Sequence, residues 1–149
     1  MGVQVKLVVF LFLIDKQDRI YLQRRFNTGF LDGQYEPPAG GVDQGEFPKQ
    51  AACREVMEEA GVTVSHDDIE LFHGYMNFNQ TPTPYLGLMY RTRRWQGEPR
   101  NIEPHLSDDS GFYALDELPN VIPQVKEAVK VLLDGPSIDF NTFEIIENA

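Results

Sequence analysis

The first third of the chain alternates apolar runs with polar turns, which predicts strands. Residues 3–14 are rich in Val, Leu and Phe, and such a run favours a buried strand. A polar turn at residues 15–18 leads into residues 20–25, a second and more polar strand. We therefore predict a hairpin over these two segments. Residues 37–41, PPAGG, should form a loop, because proline lacks a backbone donor and glycine permits unusual backbone angles.

Two later segments carry helical spacing. Residues 48–60 begin with Pro48, which a first helical turn tolerates, and are followed by Gly61. Proline at the start and glycine after the end are the usual boundary signals of a helix. Residues 124–134 repeat apolar side chains three to four positions apart and end at a Gly-Pro pair. We predict a helix over each segment.

The remaining pattern predicts further strands. Residues 69–79 and 85–95 lie on either side of a QTPTP turn and should pair as a second hairpin. Residues 97–109 are polar and are expected to form a loop, and residues 112–115 should form a short strand. Strands interleaved with two helices predict an α/β fold in which a mixed β-sheet is sandwiched between α-helices.

The length of 149 residues fits one domain. We place its core at about residues 3–134 and a C-terminal tail at residues 135–149. The tail keeps five large apolar residues, so we expect it to pack against other protein, and a neighbouring subunit in a homodimer would serve. With 42% hydrophobic and 24% charged residues, the chain does not belong to the disordered or fibrous classes.

Charge and cysteine content limit the partners. Lys and Arg total 13 against 23 Asp and Glu, a net charge of −10, so bulk charge will not hold a nucleic-acid polymer or an anionic membrane. The single cysteine permits no intramolecular disulfide, and the expected location is cytoplasmic. The apolar run at residues 7–14 is too short to cross a bilayer.

Three carboxylates share one face of the helix predicted at residues 48–60. Taking 100° per residue with Cys53 at zero, Glu55, Glu58 and Glu59 lie at about 200°, 140° and 240°. Like charges at this spacing each destabilise a helix by about 0.2–0.5 kcal/mol, whereas hard divalent cations prefer such ligands. The stripe alone leaves two interpretations, a solvated acidic face or a metal site. The opposite, apolar stripe should face the sheet and consists of Cys53, Val56, Met57 and Ala60.

The flanking residues extend the stripe into a longer motif. Residues 40–62 read GGVDQGEFPKQAACREVMEEAGV. This segment resembles the Nudix box, G-x5-E-x7-R-E-U-x-E-E-x-G-U with U a bulky aliphatic residue, and meets every fixed position. The stretch WQGEP followed by Glu103, and then FYALDELP at residues 112–119, resembles MutT-type members of that family. The resemblance covers most of residues 5–134.

The resemblance implies a loop–helix–loop that binds Mg²⁺ or Mn²⁺ and hydrolyses a nucleoside diphosphate linked to another group X. A (deoxy)nucleoside triphosphate, cleaved to nucleoside monophosphate and pyrophosphate, is the substrate we expect first. Carried over residue by residue, the metal ligands would be the carbonyl of Gly40 with Glu55, Glu58 and Glu59. Glu46 and Arg54 would support the box. Glu55 and Glu103 are the candidates for the general base, and Glu103 has a solvated loop acid as its alternative interpretation.

The expected partner is therefore a small nucleotide, and several residues could select it. Arg24 and Arg25 would hold terminal phosphates or serve as strand-edge charges. Four aromatic residues would stack a base or fill the core: Tyr75, Phe78, Tyr85 and Tyr90.

The base itself is harder to predict. The asparagine that reads an oxidised guanine in MutT-type members would fall near Ile122, with Asn120 close but out of register. This departure argues against oxidised-guanine specificity. Hydrolysis of ADP-ribose or of a dinucleoside polyphosphate, or a non-catalytic nucleotide-binding module, are the alternative functions.

Overall fold

A computed structural model describes residues 1–78 and 82–139. The described chain forms seven strands, two α-helices and a short 3₁₀ turn at His66–Asp68. The strands are β1 (Lys6–Leu13), β2 (Ile20–Arg25), β3 (Tyr35–Glu36), β4 (Ala39–Gly41), β5 (Glu70–Asn77), β6 (Tyr85–Thr92) and β7 (Ser107–Tyr113). The helices are α1 (Pro48–Ala60) and α2 (Pro123–Ala128). Most of the predicted tail lies outside the described residues, so its packing and the homodimer stay predictions.

Two sheets carry the strands. The first is mixed, with order β4-β1-β6-β5, in which β1 runs parallel to β6 and antiparallel to β4. The second is antiparallel, with order β3-β2-β7. The predicted hairpin of β1 with β2 is wrong, because both edges of β1 are occupied by β4 and β6. Only an isolated bridge between Ile14 and Ile20 joins the two strands across their turn.

The alternation along β1 divides the core into two layers. Val9, Leu11 and Leu13 belong to a cluster with Ala52 and Val56 of α1. The intervening side chains of β1 belong to a second cluster on the other face, which α2 covers with Val125 and Ala128. The mixed sheet therefore lies between the two helices, and the predicted α/β sandwich is confirmed. We call these clusters the α1 core and the α2 core.

Helix α1 follows its predicted bounds. Gly61 adopts a left-handed φ of 72°, and its N–H donates to the carbonyl of Met57 at 3.1 Å, so the helix ends where the sequence indicated. The predicted apolar stripe is wrong at Met57, whose side chain is 42% exposed. The buried arc is instead completed by Ala51 and Ala52, which lie nearer the start of the helix.

In the part of the chain after α1, the observed strands and helix differ from the predicted ones mainly in length. The hairpin of β5 and β6 is confirmed. Strand β7 begins at Ser107, inside the segment predicted as a loop, because β2 offers it an open edge. Helix α2 ends at Ala128, and tight turns continue the predicted segment to Gly135. No helix in the described chain is both long and apolar enough to span a membrane.

Candidate active site

Strand β4 and helix α1 bring a glycine against a carboxylate. Gly40 pairs with Val9 of β1, and α1 packs on the same face of that strand. The carboxylate of Glu55 consequently lies directly over the Cα atom of Gly40. A Cβ atom at residue 40 would stand 2.1 Å from Oε1 of Glu55, far inside contact distance. Any larger residue at this position would require the end of the Glu55 side chain to move away from β4.

Arg54 organises the acidic residues around that contact. Its Nε and Nη2 atoms donate to the two carboxylate oxygens of Glu46 at 2.8 and 3.0 Å, and Nη2 also donates to the carbonyl of Gly41 at 2.9 Å. Nη1 donates to Glu55 at 2.8 Å and lies 3.3 Å from Glu58. Hydrogen bonds from Arg54 hold the pKa of Glu46 below its usual range. One guanidinium therefore fixes the loop, the helix start and the acidic face together.

Glu59 is held differently, by neutral donors alone. Its Oε2 atom accepts from Nε2 of Gln23 at 2.5 Å and from the backbone N–H of Ala39 at 3.1 Å. Burial raises its pKa well above the usual range, and the charges of Glu36 and Glu55 add to that effect. The pKa of Glu55 is also raised, mainly by burial and partly by neighbouring carboxylates. This end of the site therefore concentrates negative charge in a poorly solvated place.

The donor set fits a hard divalent cation. Glu59 is a desolvated carboxylate that makes no ion pair in the described chain, and a cation with oxygen preference suits such a group. Glu55 and the Gly40 backbone lie beside it on the same face. No three acidic, histidine or cysteine side chains of the described chain converge as a complete ligand set, however. Glu55 and Glu58 both contact Nη1 of Arg54 instead.

Glu103 reaches the same region from the loop before β7. Its carbonyl accepts the backbone N–H groups of Leu106 and Ser107 at 2.9 and 3.0 Å, and the side chain of Asn101 accepts its N–H at 3.0 Å. These bonds define the turn. Glu103 and Glu59 line one cavity of about 200 Å³. The structure therefore brings this loop acid together with the box helix.

The two candidate phosphate-binding arginines line that cavity as well. Arg24 donates to Asp108 at 2.6 Å and is 37% exposed. Arg25 donates to Glu36 and to the carbonyl of Phe30, both at 2.6 Å. Both arginines are close to the acidic residues. Arg25 is fixed by its bonds to Phe30 and Glu36, whereas the side chain of Arg24 is more exposed.

A larger cleft of about 510 Å³ adjoins the glycines of β4 on the other face of the sheet. Its walls include the apolar residues Val8, Phe10 and Ile122, with Tyr85 and Lys6 at its edge. Lys6 is exposed. Apolar walls with a few polar groups are the usual features of a small-molecule site.

The four aromatic candidates are separated by the fold. Tyr85 lines the cleft. Tyr90 is 1% exposed within the α1 core, which agrees with a packing role. Tyr75 packs between Phe10 and Tyr85, with ring centroids about 6 Å away on each side. Phe78 is 57% exposed. Base stacking therefore stays a prediction, and Tyr85 is the candidate of these four that lines the cleft.

Ile122 forms an apolar wall where the family's asparagine would stand. It is 3% exposed and its N–H donates to the carbonyl of Tyr35 at 3.0 Å. Asn120 accepts the Tyr35 N–H through its own carbonyl at 2.8 Å. The backbone pairing with β3 therefore fixes both positions and directs an apolar side chain, not an amide, to this wall.

Sequence reasoning missed Gln23 and Glu36, which contact or influence Glu59. A signal for Gln23 was present, because its position follows Tyr21 in the alternation of β2, and a polar residue at an inward position breaks the pattern. Glu36 carried no such signal, since a two-residue strand has no period.

Comparison with protein-family models identifies the family of the chain that carries this site. The NUDIX domain model matches residues 5–134. The chain belongs to the Nudix hydrolase family. Nudix hydrolases generally use divalent metal ions, which agrees with the acidic donor set described above. Both the family and the α/β fold expected from the box are therefore confirmed.

Named relatives place the chain among MutT-type Nudix proteins. It is 31% identical over 86 residues to 8-oxo-dGTP diphosphatase of Escherichia coli, a match that covers 57% of this chain and 64% of that protein. It is 40% identical over 142 aligned residues to RNA pyrophosphohydrolase of the Wolbachia of Brugia malayi, covering 82% and 83%. A MutT NUDIX hydrolase structure from Burkholderia pseudomallei superimposes with a TM-score of 0.78 at 26% identity, covering 85% and 97%.

Proposed function

We propose that this Nudix protein hydrolyses the diphosphate bridge of a nucleoside diphosphate linked to X, with Mg²⁺ or Mn²⁺ as the cofactor. A (deoxy)nucleoside triphosphate is the favoured substrate, and nucleoside monophosphate and pyrophosphate are the products. The observation that carries the proposal is the packing of the Glu55 carboxylate on Gly40. Gly40 lines the cleft, and Glu59, one helical turn after Glu55, lines the acidic cavity.

Each residue of the box has a defined task in this reaction. Glu55, Glu58, Glu59 and the Gly40 carbonyl would hold the cation, while Arg54 and Glu46 keep the loop and helix in register. When bound, the divalent cation would neutralise phosphate oxygens and lower the pKa of bound water toward about 7. The protein's own contribution is positioning and electrostatic preorganisation.

The proton of the attacking water has two candidate acceptors. Water forms a bond to one bridge phosphorus, the bond from that phosphorus to the bridging oxygen breaks, and the oxygen leaves on the other phosphate. Burial raises the pKa of Glu55, which makes its carboxylate a better base than a solvated glutamate. Glu103 is the second candidate because it lines the cavity with Glu59.

The cleft supports a small nucleotide as the substrate. Its volume of about 510 Å³ and its apolar walls suit a nucleoside. Glu36 and Ala39 line both the cleft and the acidic cavity, so the two adjoin. Arg24 would contact the distal phosphates, with Arg25 ordering the loop beside it. The net charge of −10 does not oppose this, because bound cations reverse the local sign where the phosphates lie.

RNA ends are the second candidate substrate. The relative from the Brugia malayi Wolbachia is named an RNA pyrophosphohydrolase and aligns over most of both chains. The diphosphate chemistry would be the same at the 5′ end of an RNA. The net charge of −10 weakens binding of the rest of the polymer, so we rank free nucleotides first, and the absence of a polymer partner stays a prediction.

A substrate panel tests the proposal. Purified protein with MgCl₂ or MnCl₂ is incubated with nucleoside triphosphates, ADP-ribose, diadenosine polyphosphates and a short 5′-triphosphate RNA, and phosphate and pyrophosphate are measured separately. We expect pyrophosphate from triphosphates and none after EDTA. Preferred cleavage of ADP-ribose, a diadenosine compound or RNA would replace the favoured substrate. Nucleotide binding without turnover on the whole panel would favour the non-catalytic module.

A further inference from the structure

Gln23 is a polar residue at a position that the strand pattern assigns to the core. It lies in β2, and its side chain is only 8% exposed. Tyr21, two residues earlier on the same face of the strand, belongs to the α1 core. Burying an amide is unfavourable unless its polar atoms are paired. An apolar side chain would stabilise the core at this position more than a buried amide does. The amide is therefore expected to have a role other than packing.

The amide makes one strong contact, to Glu59. Its Nε2 atom donates to Oε2 of Glu59 at 2.5 Å, and that same oxygen accepts the N–H of Ala39 at 3.1 Å. Oε2 of Glu59 therefore accepts from two donors, and Oε1 of the same carboxylate is the oxygen left to bind a cation. The contact joins residues 36 positions apart, so it ties the second sheet to helix α1.

The other end of the amide is unpaired. Oε1 of Gln23 is buried and has no hydrogen-bond partner in the described chain. The side chain lines the cavity of about 200 Å³ that also contains Glu59 and Glu103. An unpaired acceptor is tolerated here because the opposite end of the amide is committed to Glu59. The side chain of Gln23 is thus oriented to donate to Glu59, although its own carbonyl oxygen then lacks a hydrogen bond.

We infer that Gln23 is a positioning residue for Glu59. It fixes one oxygen of this carboxylate and thereby leaves the other available to a divalent cation. The inference rests on the metal site of the proposed function, but it concerns cation affinity and does not depend on which nucleotide is cleaved. Residues that orient metal ligands commonly contribute 10–100-fold to affinity or activity.

The test measures the affinity of the protein for Mn²⁺ in the absence of substrate, by electron paramagnetic resonance. Gln23→Met keeps the length of the side chain and removes the donor. Leu22→Met is the matched control, because Leu22 is the adjacent residue of β2 and lies in the α2 core. We expect Gln23→Met to weaken Mn²⁺ binding by about tenfold or more, and Leu22→Met to bind as the wild type does. Unchanged affinity in a folded Gln23→Met protein would overturn the inference.

A double-mutant cycle separates positioning from general packing. Glu59→Gln removes the carboxylate on which Gln23 acts, so adding Gln23→Met to it should cost no further Mn²⁺ affinity. Independent, additive losses would contradict the inference. If Gln23→Met does not fold, Gln23→Asn keeps an amide that is too short to reach Glu59, and the same weakening is expected. Failure of the wild type to bind Mn²⁺ overturns the inference, whereas binding without turnover on the panel overturns only the proposed function.

Discussion

The carboxylate of Glu55 occupies the space where a side chain on Gly40 would begin. A Cβ atom built at residue 40 lies 2.1 Å from both the Cδ and Oε1 atoms of Glu55. Because Gly40 is held in β4 by its pairing with Val9, the backbone cannot easily withdraw. The loop predicted at residues 37–41 is wrong at residues 39–41, which form β4, and a residue of that strand sets the position of a residue of the helix.

Gly40→Ala should therefore displace Glu55 and impair turnover while the fold persists. A displacement of about 1 Å at a catalytic group can cost on the order of a hundredfold in rate. Gly41→Ala is the matched control, since a Cβ there makes only ordinary contacts, with Cε of Lys6 at 3.5 Å and the carbonyl oxygen of Leu7 at 4.0 Å. Steady-state kinetics and circular dichroism of both variants check the prediction. Equal rates in the two variants would show that the Gly40 contact has no role in catalysis.

Glu58→Gln and Glu59→Gln should each reduce turnover by about a hundredfold or more, with different effects on stability. Glu58 is 51% exposed, so its neutralisation should leave the metal-free protein unchanged. The raised pKa of Glu59 means that the folded state binds its proton more tightly, and stability is lost as pH rises through the folded pKa. At pH 8 without metal, Glu59→Gln should unfold at or above the wild-type temperature. Full activity in both variants would refute the ligand assignment.

Glu46→Gln tests the clamp around Arg54. Arg54 lowers the pKa of Glu46, so the unfolded chain binds that proton more readily and the pair stabilises the fold above the ordinary pKa of 4.5. This stability is lost as pH falls through the folded pKa. We expect a melting temperature about 2–6 °C lower at pH 7 for a loss of about 1–1.5 kcal/mol. Thermal melts from pH 3 to 7 should show the difference shrinking toward acid, and a constant difference would argue against this pair.

The protein should hydrolyse 8-oxo-dGTP with little preference over dGTP. The wall contributed by Ile122 is apolar, and without a group to read the altered base, discrimination should stay below about tenfold, far from the 10⁴ that a dedicated hydrogen-bonding site reaches. The ratio of kcat/KM for 8-oxo-dGTP over dGTP measures it. A ratio above a hundred would mean that another residue of the cleft reads the base.

The helix and its acidic face were predictable because their signals are local. Helix α1 ends where Gly61 supplies a left-handed residue, and Glu55, Glu58 and Glu59 share a face through the 3.6-residue period alone. The pairing of β1 was not predictable, since a strand buried on both faces carries no record of which neighbours occupy its edges. Its partner β6 lies far along the chain.

The sequence by itself therefore determined the Nudix box, the α/β class, the acidic face of α1 and its clamp partners Glu46 and Arg54, because spacing and residue chemistry suffice for these. Only the tertiary structure decided that Gln23 would hold Glu59 and that Ile122 would line the cleft. Those contacts join segments from different strands and turns, and their distances depend on how the two sheets and the helices pack, which no local pattern encodes.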